Sequence, residues 1–175
     1  MVDVQSIDDE HKFREYCRDW LSDNKAGKPD FRVPSEFIHI NSPAEVEYFK
    51  SWQQRLYNAG LLGCDYPVEY GGLGKQGFQA IANQEMKQAG AMYCITYHAM
   101  GLVAPTLLFH GSEALKTERI PRIFSADDNW SQGISEPGSG SDLASLQTSA
   151  VRDGDNWVLN GEKIWTSMAQ ISDRM

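Results

Sequence analysis

The stretch Gly133-Ile134-Ser135-Glu136-Pro137-Gly138-Ser139-Gly140-Ser141-Asp142 gathers glycines at 138 and 140 with hydroxyls at 135, 139 and 141. Glycine places no Cβ in the path of a ligand, so backbone amides of such a loop can approach a ring carbonyl or a pyrophosphate. Gly138-x-Gly140 hints at a dinucleotide fingerprint, but the third glycine position holds Leu143, and no lysine follows as a phosphate-binding P-loop requires. Both of those readings fail. An ordinary solvated turn has the same composition, and the loop alone leaves that alternative open. Glu136 invites a general-base role, although carboxylates in structural ion pairs look the same in a sequence.

A second stretch, Asn160-Gly161-Glu162-Lys163-Ile164-Trp165-Thr166-Ser167, follows within twenty residues. Asn-Gly is a two-residue hairpin signal, predicting strands at Trp157–Leu159 and Lys163–Ser167. Strand alternation then puts Trp165 and Ser167 on one face. An indole beside a hydroxyl can pack against and hydrogen-bond a planar heterocycle such as an isoalloxazine. The competing role for Trp165 is that of a core aromatic.

The elements that must position these stretches divide near residue 128. Upstream the pattern is helical. Ser6 is a candidate cap for a helix carrying Phe13, Cys17, Trp20 and Leu21. Ser42-Pro43 with Glu45 marks a second start, with Val46, Phe49, Leu56 and Tyr57 as its stripe and Gly60 as its end. A glycine-rich loop runs to Gly77, and helices resume over Phe78–Ala89 and Met92–Phe109, the latter apolar nearly all round and expected to be buried. Ser112 caps a last helix with Leu115, Ile120, Ile123 and Phe124 inward and Pro121 near its end. Downstream, Leu146–Arg152 alternates and ends at Asp153-Gly154, so three or four antiparallel strands are expected. The fold class is α+β: an all-α bundle over 1–127, then, over 128–175, the first strands of an antiparallel β-barrel or sandwich. A sheet this small leaves an edge unpaired, and we expect the isolated chain to be incomplete.

Composition narrows the partners. A formal net charge of −8 in 175 residues argues against nucleic acid or an anionic membrane surface, while local amides can still hold a small anion. Cys17, Cys64 and Cys94 form no C-x-x-C pair, and an odd count fits a reducing compartment. The four histidines, at 11, 39, 98 and 110, lack metal-ligand spacing, so no metal is expected. The acidic N-terminus has no apolar segment of a signal peptide, and no stretch approaches the ~20 apolar residues of a membrane span. The expected setting is the cytoplasm.

In order and spacing the two stretches resemble the acyl-CoA dehydrogenase family, whose middle β-domain holds FAD with a T/S-E-P-x-x-G-S-D loop and a following N-G-x-K-x-W-x-T/S strand. Upstream, Pro67-Val68-Glu69-Tyr70-Gly71-Gly72-Leu73-Gly74 and Gly111-Ser112-Glu113 with Ile120-Pro121 are similar to further stretches of that family. The resemblance implies that Gln132, Gly133, Ile134 and Ser135 run along the pyrimidine edge of FAD, and that Ser141 lies near the cofactor phosphates and the acyl-CoA substrate. It implies that Trp165 flanks the flavin, with Thr166 beside it and the Ser167 hydroxyl near N5. The family more often has Thr where Ser135 and Ser167 stand, and Gly or Asn-Gly where Met168-Ala169 stand. Glu136 is a structural loop residue there. The implied reaction is oxidation of an acyl-CoA thioester to a trans-2-enoyl-CoA in lipid degradation, with an electron-transfer flavoprotein as acceptor and a homo-oligomeric complete protein, dimer or tetramer. The family's glutamate base belongs to a C-terminal helical domain with no counterpart in this chain, so no catalytic residue is assigned. An acyl-CoA oxidase or a flavin monooxygenase would share these motifs, and a non-catalytic assembly module or split-enzyme subunit is the alternative of another class.

Overall fold

Asp9, three residues past the expected Ser6, begins the first helix: its Oδ1 accepts from the Lys12 amide at 2.9 Å. Ser6 instead closes a short 3-10 turn, Val4–Ser6, its hydroxyl donating to the Asp3 carbonyl. The computed structural model describes residues 3–175, and the first two residues of the acidic N-terminal stretch lie outside them. Helix α1 (Glu10–Asp23) buries Phe13, Cys17 and Leu21. These face α3 (Phe78–Gln88), where the Phe13 and Phe78 rings stack at 4.6 Å. The same interface buries Glu85, which Arg14 and Arg18 reach at 2.6 and 2.7 Å. Burial opposes ionisation of that carboxyl, but the two guanidiniums outweigh it and hold it below the usual carboxylate range.

Helix α2 (Pro43–Asn58) starts as its sequence requires, with a reciprocal capping box between Ser42 and Glu45 and proline at the first position. Its inward face carries one polar residue, Gln53, fully buried. The Gln53 amide donates to the carbonyls of Ile123 and Phe124 at 3.0 Å and accepts from the Thr96 amide at 3.1 Å. One side chain thus bolts α2 to the 94–97 segment and to the end of α5 (Glu113–Phe124). Ser112 caps α5 as expected, and Ile120, Ile123 and Phe124 point inward. Leu115, expected inward, is 43% exposed.

The glycine-rich connector is packed rather than solvated. Gly71 adopts φ 81°, and any side chain at Gly72 would collide with the Tyr66 and Gly63 carbonyls. Two expectations fail here and beyond. The segment expected as one buried helix is a π-helical turn, Ala99–Val103, leading into a short α4, Ala104–His110, with Tyr97 and Phe109 exposed. Pro105 explains the change, since it has no N–H and its ring presses on the carbonyl four residues back. Gly101, at that position, carries no side chain to obstruct the widened turn.

The expected reversal after Arg152 forms, whereas the hairpin expected at Asn160-Gly161 does not. Strands β1 (Ser149–Asp153) and β2 (Asn156–Asn160) pair antiparallel with Val151 opposite Val158, and the chain reverses at Gly154-Asp155. Lys163–Ser167 is no strand: Trp165 sits at φ 57° and Met168 at φ 64°. Among the described residues these two strands are the only ones, fewer than the expected three or four. The fold class stands: a helical N-terminal part followed by antiparallel strands.

After that turn the chain returns to the helices. Met168, 4% exposed, packs with Ile40, Phe49, Ile95 and Ala126, each fully buried. Farther on, Arg174 joins Arg119 and Arg122 around buried Asp128, at 3.2, 3.0 and 3.0 Å. Burial works against the Asp128 charge, but the three guanidiniums keep its carboxyl below the usual range.

Candidate functional site

The glycine- and serine-rich loop is tied down by its own carboxylate. Glu136, 8% exposed, accepts from the Gln147 amide at 2.7 Å, the Thr148 amide at 2.9 Å and Lys163 Nζ at 2.8 Å. The Lys163 and Thr148 bonds, with the Gln147 amide, hold its pKa down at about 2. A carboxylate so satisfied is a poor proton acceptor at neutral pH, so the loop geometry gives Glu136 a structural role. Lys163 also donates to the Ile134 carbonyl at 3.0 Å, and the Ile164 amide donates to Ser135 O at 2.9 Å. The two stretches singled out in the sequence are therefore laced side by side.

What remains unpaired is the binding capacity of the loop. Among the described residues, the amides of Gln132, Gly133, Ile134 and Ser135 have no hydrogen-bond partner within the protein, and neither do the hydroxyls of Ser135, Ser141 and Ser167. Thr166 Oγ1 is buried without a partner. A Cβ on Gly133 would lie 2.7 Å from Met175 Sδ and 3.1 Å from Lys163 Cγ, which keeps this stretch of backbone bare. A row of free amides next to small residues is a donor set suited to the carbonyls and ring nitrogens of a planar heterocycle.

Gln132 and Gly133 line a cavity of about 610 Å³ with Lys163, Thr148 and, from the helical side, His98 and Leu102. Ser135, Ser141, Trp165, Thr166 and Ser167 do not line it. Ser141 is exposed on the loop, and Trp165 is 88% exposed because its left-handed backbone turns the indole outward. Alternation had put Trp165 and Ser167 on one face, and a non-extended backbone removes the basis for that. A second cavity, about 570 Å³, lies across the π-helical turn and is lined by Met86, Met92, Met100, Tyr93, Tyr97 and Gly101. Sequence reasoning missed the roles of Lys163, Thr148 and Met168. Lys163 stands inside a recognised motif, and its distance of 27 residues from Glu136 was the only available signal. Cys17, Cys64 and Cys94 are free and buried, which pushes their thiols upward. Among the described residues no cluster of three or more metal-ligating side chains occurs, and no helix is long and apolar enough to cross a membrane.

Comparison with known proteins gives a consistent result. Residues 8–127 match the model of the acyl-CoA dehydrogenase N-terminal domain, and residues 131–175 match that of the acyl-CoA dehydrogenase middle domain. The acyl-CoA dehydrogenase IpdE1 of Mycobacterium tuberculosis is 39% identical over 171 residues, 95% of this chain and 43% of the relative. The acyl-CoA dehydrogenase FadE26 of the same organism is 44% identical over 115 residues, 65% of this chain and 28% of the relative. Among solved structures, the ChsE4–ChsE5 complex of M. tuberculosis superposes with a TM-score of 0.65 at 30% identity, covering 98% of this chain and 42% of that one. A structure described as the Tcur3481–Tcur3483 steroid ACAD gives 0.68 at 33% identity, covering 98% and 43%. The chain thus spans less than half the length of these relatives. A helical-domain model matching 120 residues in sequence and the extended similarity to IpdE1 agree with the observed architecture: the chain belongs to the acyl-CoA dehydrogenase family.

Proposed function

We propose that this chain forms the helical wall and the flavin-facing loop of an FAD-dependent acyl-CoA dehydrogenase that oxidises an acyl-CoA thioester to a trans-2-enoyl-CoA. Residues 1–127 are then its N-terminal helical domain and 128–175 the start of its middle β-domain. The observation that carries the reading is the run of unpaired amides from Gln132 to Ser135, held rigid by the Glu136–Lys163 pair. Bound FAD would supply the hydride acceptor.

The chain's own residues bind and orient. The amides of Gln132, Gly133 and Ile134, with the Ser135 hydroxyl, take the ring edge. Ser141 takes a phosphate or the acyl-CoA, and Trp165, Thr166 and Ser167 cover the ring near its reactive nitrogen. Glu136 is occupied with three donors, so no base is assigned within this chain, and the α-proton goes to a carboxylate outside it. The second cavity suits the acyl group, since flexible methionines and flat tyrosines adapt to an apolar body. An electron-transfer flavoprotein would be the electron acceptor of the bound cofactor, the setting is the cytoplasm, and the working protein is an oligomer. The solved relatives described as a two-component complex and as a steroid ACAD favour a second version of this reading, in which a related chain completes the oligomer and the acyl group is a bulky ring system.

Anaerobic bleaching of the flavin band by a panel of acyl-CoAs tests the proposal. The chain joined to the remaining part of a relative such as IpdE1 should bind FAD and bleach, and the 175-residue chain alone should not bleach. Loss of a general base costs ~10²–10⁴-fold in rate. Failure of the joined protein to bleach with any acyl-CoA rejects the dehydrogenase reading. Rapid reoxidation of its reduced flavin by oxygen would favour an oxidase or a monooxygenase.

A further inference from the structure

Met168 stands where the motif ends, and its conformation is unusual for its residue type. At φ 64° it occupies the left-handed region, which methionine rarely enters, and Trp165, at φ 57°, does the same three residues earlier. Such backbone persists only when surrounding contacts over-determine it. Here the side-chain contacts come mostly from the helical part, and the backbone carbonyl is held by the residues just after it. The Met168 side chain is 4% exposed among Ile40, Phe49, Ile95 and Ala126. Its carbonyl accepts from the Ile171 amide at 3.0 Å and the Ser172 hydroxyl at 2.8 Å, and Gln170 donates to Ile40 O at 3.2 Å.

The same cluster supports the wall of the second cavity. Phe49 stacks on Tyr93 at 4.7 Å, Ile95 follows Cys94 in the chain, and Tyr93 and Cys94 both line that cavity. Met168 therefore touches, through one layer of side chains, the surface proposed to hold the acyl group. Through the backbone it terminates the turn bearing Thr166 and Ser167.

We infer that Met168 is a positioning residue: its buried side chain locks the Thr166–Ser167 turn onto the helical domain and so registers the flavin-facing hydroxyls against the acyl cavity. The inference rests on the proposed flavin role of that turn. Methionine can fill an irregular gap between two elements, whereas glycine would relieve the backbone and supply no anchor.

The test is an FAD titration, read by flavin fluorescence, of the joined protein and its Met168→Leu, Met168→Ala and Met168→Gly variants. Hydrogen exchange is followed in parallel. Leucine should keep the wild-type affinity within about twofold, and alanine and glycine should each lose about tenfold, within the usual range of site-to-site coupling. In the wild type, the amides of Ala169 and Ile171 should be protected as α2 is. In the glycine variant they should exchange quickly while α2 stays protected. Wild-type affinity in the glycine variant would show that backbone shape matters and the anchor does not, overturning the inference. Equal affinities in all four proteins, or wild-type exchange at 169 and 171 as fast as in the exposed hairpin, would overturn it as well. Absence of FAD binding by the wild type would instead strike the flavin reading itself and remove the positioning role with it, while the exchange data still decide whether the anchor exists.

Discussion

Lys163 Nζ lies 2.8 Å from Glu136 Oε1 and 3.0 Å from the Ile134 carbonyl, so one ammonium holds both the carboxylate of the glycine-rich loop and the backbone just before it. Because Glu136 is buried and Lys163 largely so, this pair is shielded from solvent more than a surface ion pair. It keeps the loop open on its amide side.

The pair makes the β-part acid-sensitive. The carboxyl of Glu136 titrates near 4.5 when unperturbed and near 2 when folded, so its contribution is complete above about pH 4.5 and is lost as pH falls toward 2. Hydrogen exchange of the Gln147 and Thr148 amides, which donate to Glu136, should accelerate across that window while α2 remains protected. Glu136→Gln should remove the pH dependence and raise exchange at pH 7. An unchanged exchange profile in that variant would mean that the carboxylate does not hold the loop.

Gln53 is expected to be among the most sensitive polar positions. Gln53→Leu leaves the Thr96 amide and the Phe124 carbonyl without their partner in a buried site. At ~1–3 kcal/mol for each stranded group, the loss should be about 2–4 kcal/mol, lowering Tm by roughly 5–10 °C in a chain of this size. Thermal unfolding by circular dichroism measures it.

Asp128→Asn should destabilise the junction between the helices and the C-terminal segment. It removes the charge that Arg119, Arg122 and Arg174 share, and with two of those arginines partly exposed the cost should be roughly 2 kcal/mol, not the larger value of a fully buried pair. Added salt should narrow the gap between wild type and variant in denaturant titrations, because it screens the wild-type interaction.

Ser141→Ala and Ser167→Ala should each weaken FAD binding in the joined protein by about fivefold, the equivalent of one hydrogen bond near 1 kcal/mol. Ser149→Ala, on exposed β1, should leave binding unchanged. Identical titrations for all three variants would remove the roles assigned to Ser141 and Ser167.

The hairpin should drive self-association of the isolated chain. Val151, Trp157, Val158 and Leu159 are all at least 45% exposed, and both outer edges of the two-stranded sheet are unpaired among the described residues. Sedimentation should show concentration-dependent oligomers that Val158→Lys reduces. A monodisperse monomer of the wild type at high concentration would contradict this.

Local chemistry was legible in the sequence. The Ser42–Glu45 capping box, the Ser112 cap and the inward Ile120, Ile123 and Phe124 depend on neighbours a few residues apart, and the structure contains each of them. The order of the two motifs was legible for the same reason, and it sufficed to indicate the family. What the sequence could not carry was geometry created by distant groups. Asn160-Gly161 has ideal turn chemistry, yet no hairpin forms there, because the chain after β2 is drawn to Ser135 and Glu136 instead of back along its own strand. The apolar run from Met92 was expected to be one buried helix, but Pro105 widens it into a π turn over Ala99–Val103, and Tyr97, ahead of that turn, is exposed to solvent. Trp165 obeyed a strand pattern on paper, but the burial of Met168 three residues later sets the backbone there, a tertiary contact spanning more than a hundred residues to Ile40 and Phe49. The role of Glu136 was decided in the same way, by two amides and one ammonium that only the folded chain brings to it.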